Sequence, residues 1–318
     1  MSRWSPDWDI RRVATLAVLI LIALALRLAD ANPARSQATT LHAWRVEDVP
    51  SLDPGDSVWA SIAPVTVPLT AQQGVYASGG GVIPLVQVKA VHARQRLFIH
   101  VEWSDTSRDI STQDTLDFAD AVAVELPSKL GSSVPAVCMG QADGGVNIWQ
   151  WRADRQASLS ALDDRDEPVV DFYPSEEDLW FPARDAGNPY AVEGVSGVQN
   201  LVARSFGTIG PASEQPVTGR AEYEYGEDTW SVVFSRSFAA PGRDQPAFAV
   251  GGRADVAFAV WDGSNGDRDG QKSVSQFVQM SLSATGRAAN WDWVGTVLAF
   301  AIVIPILFVL ARGAWRSP

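Results

Sequence analysis

The chain has 318 residues, 46% of them hydrophobic, enough for one large or two small globular cores, and a formal net charge of −12. That acidity argues against nucleic acid as a partner and against a basic membrane-surface patch. A single Cys excludes an internal disulfide, an iron–sulfur cluster ligated by this chain alone and a C-x-x-C-H motif; His and Met number three each, and Lys only three against twenty-two Arg.

At the N-terminus, Arg3, Arg11 and Arg12 precede an apolar run, Val13–Leu26, and then Ala29-Asp30-Ala31. A positive segment, a short apolar segment and an A-x-A site are the parts of a secretory signal. Residues 1–31 are therefore expected to be a signal peptide cleaved after Ala31 or, uncleaved, an N-terminal anchor. The apolar run has fourteen residues, short of the roughly twenty that cross a bilayer as a helix.

Residues 32–291 are expected to form the exported domain. Val65–Leu69, Val82–Val91, Arg96–Trp103, Ala119–Leu126, Val146–Arg152, Gly219–Tyr225, Trp230–Phe238, Phe248–Val260 and Gln276–Leu282 alternate in strand fashion between clusters of Gly, Pro, Asp and Ser. No stretch carries a long 3.6-residue apolar period, so the expected class is all-β, an antiparallel sandwich. His100 falls on the strand face opposite Leu97 and Ile99, where it packs or meets solvent. Ala157–Gly197 reads as a long acidic insertion, either a solvated loop or a docking surface.

Two stretches invite chemistry. Cys138-Met139-Gly140 opens a Gly-rich loop before a strand with Val146, Ile148 and Gln150 on one face and Asn147, Trp149 and Trp151 on the other. A Met there is either core filler or an axial ligand to a haem packed on the aromatic face. Cys138 reads as a buried structural thiol. The second stretch is Phe258–Ser275. Its Asn265-x-Asp267-x-Asp269-Gly270 resembles the first half of a calcium loop, but Gln276 stands where the twelfth-position Glu belongs. Lys272 follows a Gly-rich turn; it is either a surface lysine or, if burial keeps it neutral, an amine able to coordinate iron. No nucleophile elbow, H-E-x-x-H, P-loop or dinucleotide turn occurs.

At the C-terminus, Trp293–Ala311 has nineteen residues without a charge, preceded by Asp292 and followed by Arg312 and Arg316. A transmembrane helix over 292–312 is expected, with a cytoplasmic tail at 313–318 and the main domain on the extracytoplasmic face of the cytoplasmic membrane.

Asp56-Ser57-Val58-Trp59, Val65–Leu69, Leu97–Asp105, Asp120–Pro127, Met139-Gly140 with Val146–Asp154, and Trp261–Gly266 with Lys272 together resemble the haem-binding γ subunits of ethylbenzene dehydrogenase and dimethylsulfide dehydrogenase. The resemblance spans about Trp44 to Leu282. It implies a β-sandwich holding one non-covalent haem b, with Met139 and Lys272 as the axial iron ligands. It also implies a non-catalytic electron-transfer subunit of a molybdenum oxidoreductase complex. Its partners would be a molybdenum-cofactor catalytic subunit, an iron–sulfur subunit, and a quinone or cytochrome carrier at the membrane, as in nitrate reductase and nitrite oxidoreductase-like relatives. The alternative is a haemless sandwich that binds carbohydrate or another ligand on a platform of Trp149, Trp151 and Trp261. Replacing Met139 or Lys272 separates the two.

Overall fold

The computed structural model describes residues 40–74, 78–131, 134–137, 139–141, 144–163, 173–174, 179–180, 196–240 and 242–286. The expected signal peptide, transmembrane helix and tail, as well as Cys138 and most of the acidic insertion, lie outside these residues. Among the described residues no helix is long and apolar enough to cross a membrane.

Sixteen strands, one α-helix and a 3-10 turn at Ser57–Ser61 are described. In chain order the strands are β1 (Thr40–Arg45), β2 (Val65–Pro68), β3 (Thr70–Ala71), β4 (Leu85–Ala93), β5 (Arg96–Ser104), β6 (Ala121–Pro127), β7 (Val146–Arg152), β8 (Tyr173–Pro174) and β9 (Leu179–Trp180). They continue as β10 (Val198–Ala203), β11 (Gly210–Pro211), β12 (Thr218–Glu224), β13 (Thr229–Ser237), β14 (Arg253–Trp261), β15 (Ser273–Val274) and β16 (Val278–Leu282), with helix α1 (Ala153–Asp163) after β7.

The hydrogen-bonded order runs β11-β10-β7-β6-β14-β16-β1-β4-β5-β13-β12, with β15 on β14, β3 on β15 and β2 on β4. Strand β14 is the corner: Arg253–Val256 pair with β16 and Ala257–Trp261 with β6. The layer β11-β10-β7-β6-β14 thus folds over the layer β16-β1-β4-β5-β13-β12. Side chains of both layers meet in one core: Trp151 of β7 contacts Trp230 of β13 at 5.0 Å between ring centroids and Trp103 of β5 at 6.4 Å. Burying rings of this size stabilises by roughly 4–6 kcal/mol each at about 25 cal/mol per Å².

The all-β class is observed, with two differences. Strand β1 pairs parallel with both β16 and β4. Parallel neighbours need long connections, and β1 has them: the path to β4 carries the Trp59 turn, and β16 lies at the far end of the described chain. Helix α1 replaces the start of the expected insertion. Its sequence lacks a clear apolar stripe, so tertiary bonds hold it. Trp151 Nε1 donates to Gln156 Oε1 (2.9 Å), which also accepts from Ala221 N, while Gln156 Nε2 donates to Ala221 O.

Strand alternation decides what each face does. In β5, Leu97, Ile99, Val101 and Trp103 fill the core, whereas Phe98 and His100 pack beneath Trp59 on the outer face. His100 is buried, with Nε2 2.6 Å from Ser231 Oγ and its ring 4.9 Å from that of Trp59. Burial, reinforced by Lys89, pushes its pKa down to about 3. In β7, Trp149 and Trp151 face the core with no exposure. Asn147 on the same side is satisfied by Trp149 Nε1, Asn200 Oδ1 and the Leu201 carbonyl. The buried Arg236 stacks on Phe248 at 4.7 Å and on Trp149 at 5.3 Å, and burial lowers its pKa to about 10. Trp149 and Trp151 therefore back neither a haem nor a sugar platform; the core claims both.

Candidate functional site

The outer face of the β10-β7-β6-β14 layer carries a cavity of about 590 Å³, within the size range of small-molecule and cofactor sites. Its floor follows from period two. Ala121 and Ala123 of β6, Ile148 of β7, Leu201 of β10, and Ala259 and Trp261 of β14 all point away from the core into it. Three alanines on neighbouring strands leave a low apolar surface where larger residues would fill the space. Glu125, Gln150, Arg152 and Gln199 add polar groups along the same face.

Met139 and Lys272 both line this cavity. They reach it from opposite ends of the strands. Pro127 of β6 pairs with Val146 of β7, so the loop bearing Met139 closes that end; Ala121 pairs with Trp261, so the loop bearing Lys272 leaves the other. Met139 is half-buried against the apolar floor. The next residue, Gly140, has φ +64°, and a Cβ there would stand 2.4 Å from the Gly144 carbonyl oxygen. Only glycine closes that turn, which is stitched by Gln141 N to Gly144 O and Gly144 N to Gln141 O, both 2.9 Å.

Lys272 is 7% exposed. Its Nζ donates to the Asp269 carbonyl at 3.1 Å and lies 4.9 Å from the centre of the Trp261 ring, whose Nε1 donates to the same carbonyl. Its backbone is clasped. Gln72 N donates to Lys272 O, and Gly80, with φ +77°, approaches so closely that a Cβ would stand 2.1 Å from the Lys272 carbonyl carbon. Arg268, at the rim, stacks its guanidinium on Phe118 at 4.8 Å.

The stretch that resembles half a calcium loop turns one of its acids back on itself. Asp267 accepts from Asp262 N and Asn265 Nδ2, so its carboxylate is spent inside the turn. A different acidic group forms instead at the Ala121–Trp261 end of the layer. Asp105, Asp120 and Asp262 are all buried and bring carboxylate oxygens within 4.8 Å of one another. Burial pushes Asp120 up to about 7 and also raises Asp105, with Asp262 adding to the latter. No sequence motif links these three; only the fold gathers them.

An all-β sandwich with a cofactor-sized, alanine-floored pocket on an outer face is the class that fold and site define. The sequence model of the family described as ethylbenzene dehydrogenase matches residues 56–273, and the chain belongs to that family. It is 27% identical over 309 residues to a Haloferax mediterranei protein named, as a putative assignment, respiratory nitrate reductase heme subunit ORF7, covering 96% of each chain. It is 29% identical over 251 residues to the dimethylsulfide dehydrogenase γ subunit of Rhodovulum sulfidophilum, covering 75% of this chain and 78% of that one. The chlorate reductase γ subunit of Ideonella dechloratans is 27% identical over 270 residues, 84% of this chain and 94% of its own. Among solved structures, a family 9 carbohydrate-binding module of Caldicellulosiruptor kristjanssonii in complex with glucose aligns over 79% of this chain at TM-score 0.40 and 10% identity. A likeness that loose bears on no ligand.

Proposed function

We propose that this protein is the haem b electron-transfer subunit of a membrane-associated molybdenum oxidoreductase complex, with one non-covalent haem in the cavity and Met139 and Lys272 as its axial ligands. The carrying observation is that these two residues, far apart in sequence, line one alanine-floored cavity from opposite strand ends. The names of the relatives, a heme subunit and two γ subunits, support it.

The residues present fit the group. Met139 offers a thioether and Lys272 an amine. The amine of Lys272 would ligate in its neutral form. A neutral amine would retain an N–H for the Asp269 carbonyl and have a lone pair to offer a metal. Arg268 at the rim offers a cation to carboxylates on the group. The lone Cys and the missing C-x-x-C-H motif agree with non-covalent binding. Bound there, a haem supplies one-electron redox chemistry, and a thioether ligand raises its potential. The electrons would pass between an iron–sulfur subunit, beside a molybdenum-cofactor catalytic subunit, and a quinone or cytochrome carrier. The uncharged run Trp293–Ala311 supports a membrane anchor, with the sandwich on the extracytoplasmic side.

The test is an absorption spectrum of the full-length protein, expressed with haem supply, oxidised and then reduced, with a pyridine haemochrome assay. A low-spin b-type spectrum is expected. Met139→Ala and Lys272→Ala should each turn it high-spin or abolish haem uptake. A folded, colourless protein that takes up no haem, or variants with the wild-type spectrum, would overturn the assignment.

A further inference from the structure

The three buried carboxylates at the end of the cavity layer lack a balancing charge. Asp105 follows β5, Asp120 precedes β6 and Asp262 follows β14, so three strand ends converge there. Asp120 is satisfied: it accepts from Asp109 N (2.7 Å), Trp230 Nε1 (2.9 Å) and Gly263 N (2.9 Å). Asp262 Oδ1 accepts from Ser264 Oγ and Asn265 N. Asp105 is different. Its Oδ1 accepts from Ser107 N and Oγ, but its Oδ2 is buried with no partner, in a residue 4% exposed. The Trp103 indole N–H favours the ionised form of Asp105 without completing a hydrogen bond, its own Nε1 being unpartnered. Among the described residues no Lys, Arg or His pairs with any of the three.

A buried, unpartnered carboxylate oxygen is costly. Here it lies within 4.8 Å of two further buried carboxyl groups, an all-oxygen arrangement that a cation would complete. We propose that Asp105, Asp120 and Asp262 bind one hard divalent cation of the calcium class. The donors are all oxygen, with neither thiolate nor imidazole among them, which selects calcium over zinc or copper. Calcium also tolerates irregular coordination completed by water and carbonyls, as three carboxylates from two loops, the two ends of the β5–β6 connection and the start of the β14–β15 connection, require. The ion would join the loop bearing Phe118 to the loop bearing Lys272, and so brace one wall of the cavity. The site does not depend on what fills that cavity.

The experiment uses the full-length protein without haem, purified in chelator and then titrated with calcium. Binding is followed by calorimetry and by thermal melting. Terbium luminescence excited through tryptophan gives an independent readout, because Trp230 hydrogen-bonds Asp120 directly. One ion per chain is expected, with a melting temperature several degrees higher, terbium luminescence displaced by calcium, and binding weakened about tenfold or more in Asp262→Asn. Asp105→Asn covers the case in which Asp262→Asn fails to fold, since its amide oxygen still accepts from Ser107. It should fold in chelator and lose the calcium response. No binding and an unchanged melting temperature up to about 10 mM calcium, or a full response retained in Asp105→Asn, would overturn the site in favour of carboxyls that share protons.

Discussion

Each layer of the sandwich has an apolar outer face, and the two are treated in opposite ways. On the β4-β5-β13 layer the chain supplies its own cover. The turn at Ser57–Ser61 lays Trp59 and Ile62 over Val91, Phe98 and Val233, and Trp59 is 2% exposed. On the β7-β6-β14 layer the equivalent space is floored by alanines and left as a cavity. Two apolar faces of similar origin thus end as a lid on one side and a receptacle on the other. Side-chain size at alternate positions makes the difference.

The strongest way to break that contrast is to fill the receptacle. Ala123→Trp places a ring where the alanine floor is lowest, and haem uptake by the haemochrome assay should fall to background while the far-ultraviolet dichroism stays that of the wild type. Uptake at the wild-type level would remove the cavity from the argument. Removing the lid should do the reverse. Trp59→Ala is expected to cost about 3–5 kcal/mol in denaturant unfolding, with haem uptake unchanged in the folded fraction. A smaller effect concerns His100 beneath that lid, whose neighbours include Lys89 and Glu102. Its pKa is depressed in the folded protein, so it contributes stability above its ordinary pKa near 6.5, and this is lost as pH falls toward about 3. One pH unit below the ordinary value the loss is about 1.4 kcal/mol. His100→Gln should flatten this acid limb in a series of melting curves; an unchanged limb would assign it to other groups.

Much of this architecture was legible as alternation. Strand β7 has the predicted bounds, and the two sets of residues on its faces were separated correctly. Which set points inward was not legible, because each set is apolar enough for a core. Alternation alone suggests a haem packed on Trp149 and Trp151, whereas the cavity belongs to Ile148 and the alanines of β6 and β14. Met139 and Lys272 stood out locally, as scarce residue types beside glycines. The alanine floor and the acidic triad did not, since their members meet only through non-local strand pairing. Strand β1 escaped notice for a related reason: six residues whose partners are parallel and distant offer no hairpin signal.

Strand β14 has one further consequence. Because its two halves belong to different layers, the sandwich is a single hydrogen-bonded fabric folded once, with no seam between receptacle and core. Slow amide exchange should therefore respond to loading as a whole: ligand binding that protects β6 and the second half of β14 should also protect β16 and β1. In such a fabric a bound cofactor would act as a fold-wide fastener, and its loss would be expected to expose the entire domain to unfolding and proteolysis rather than to empty one site.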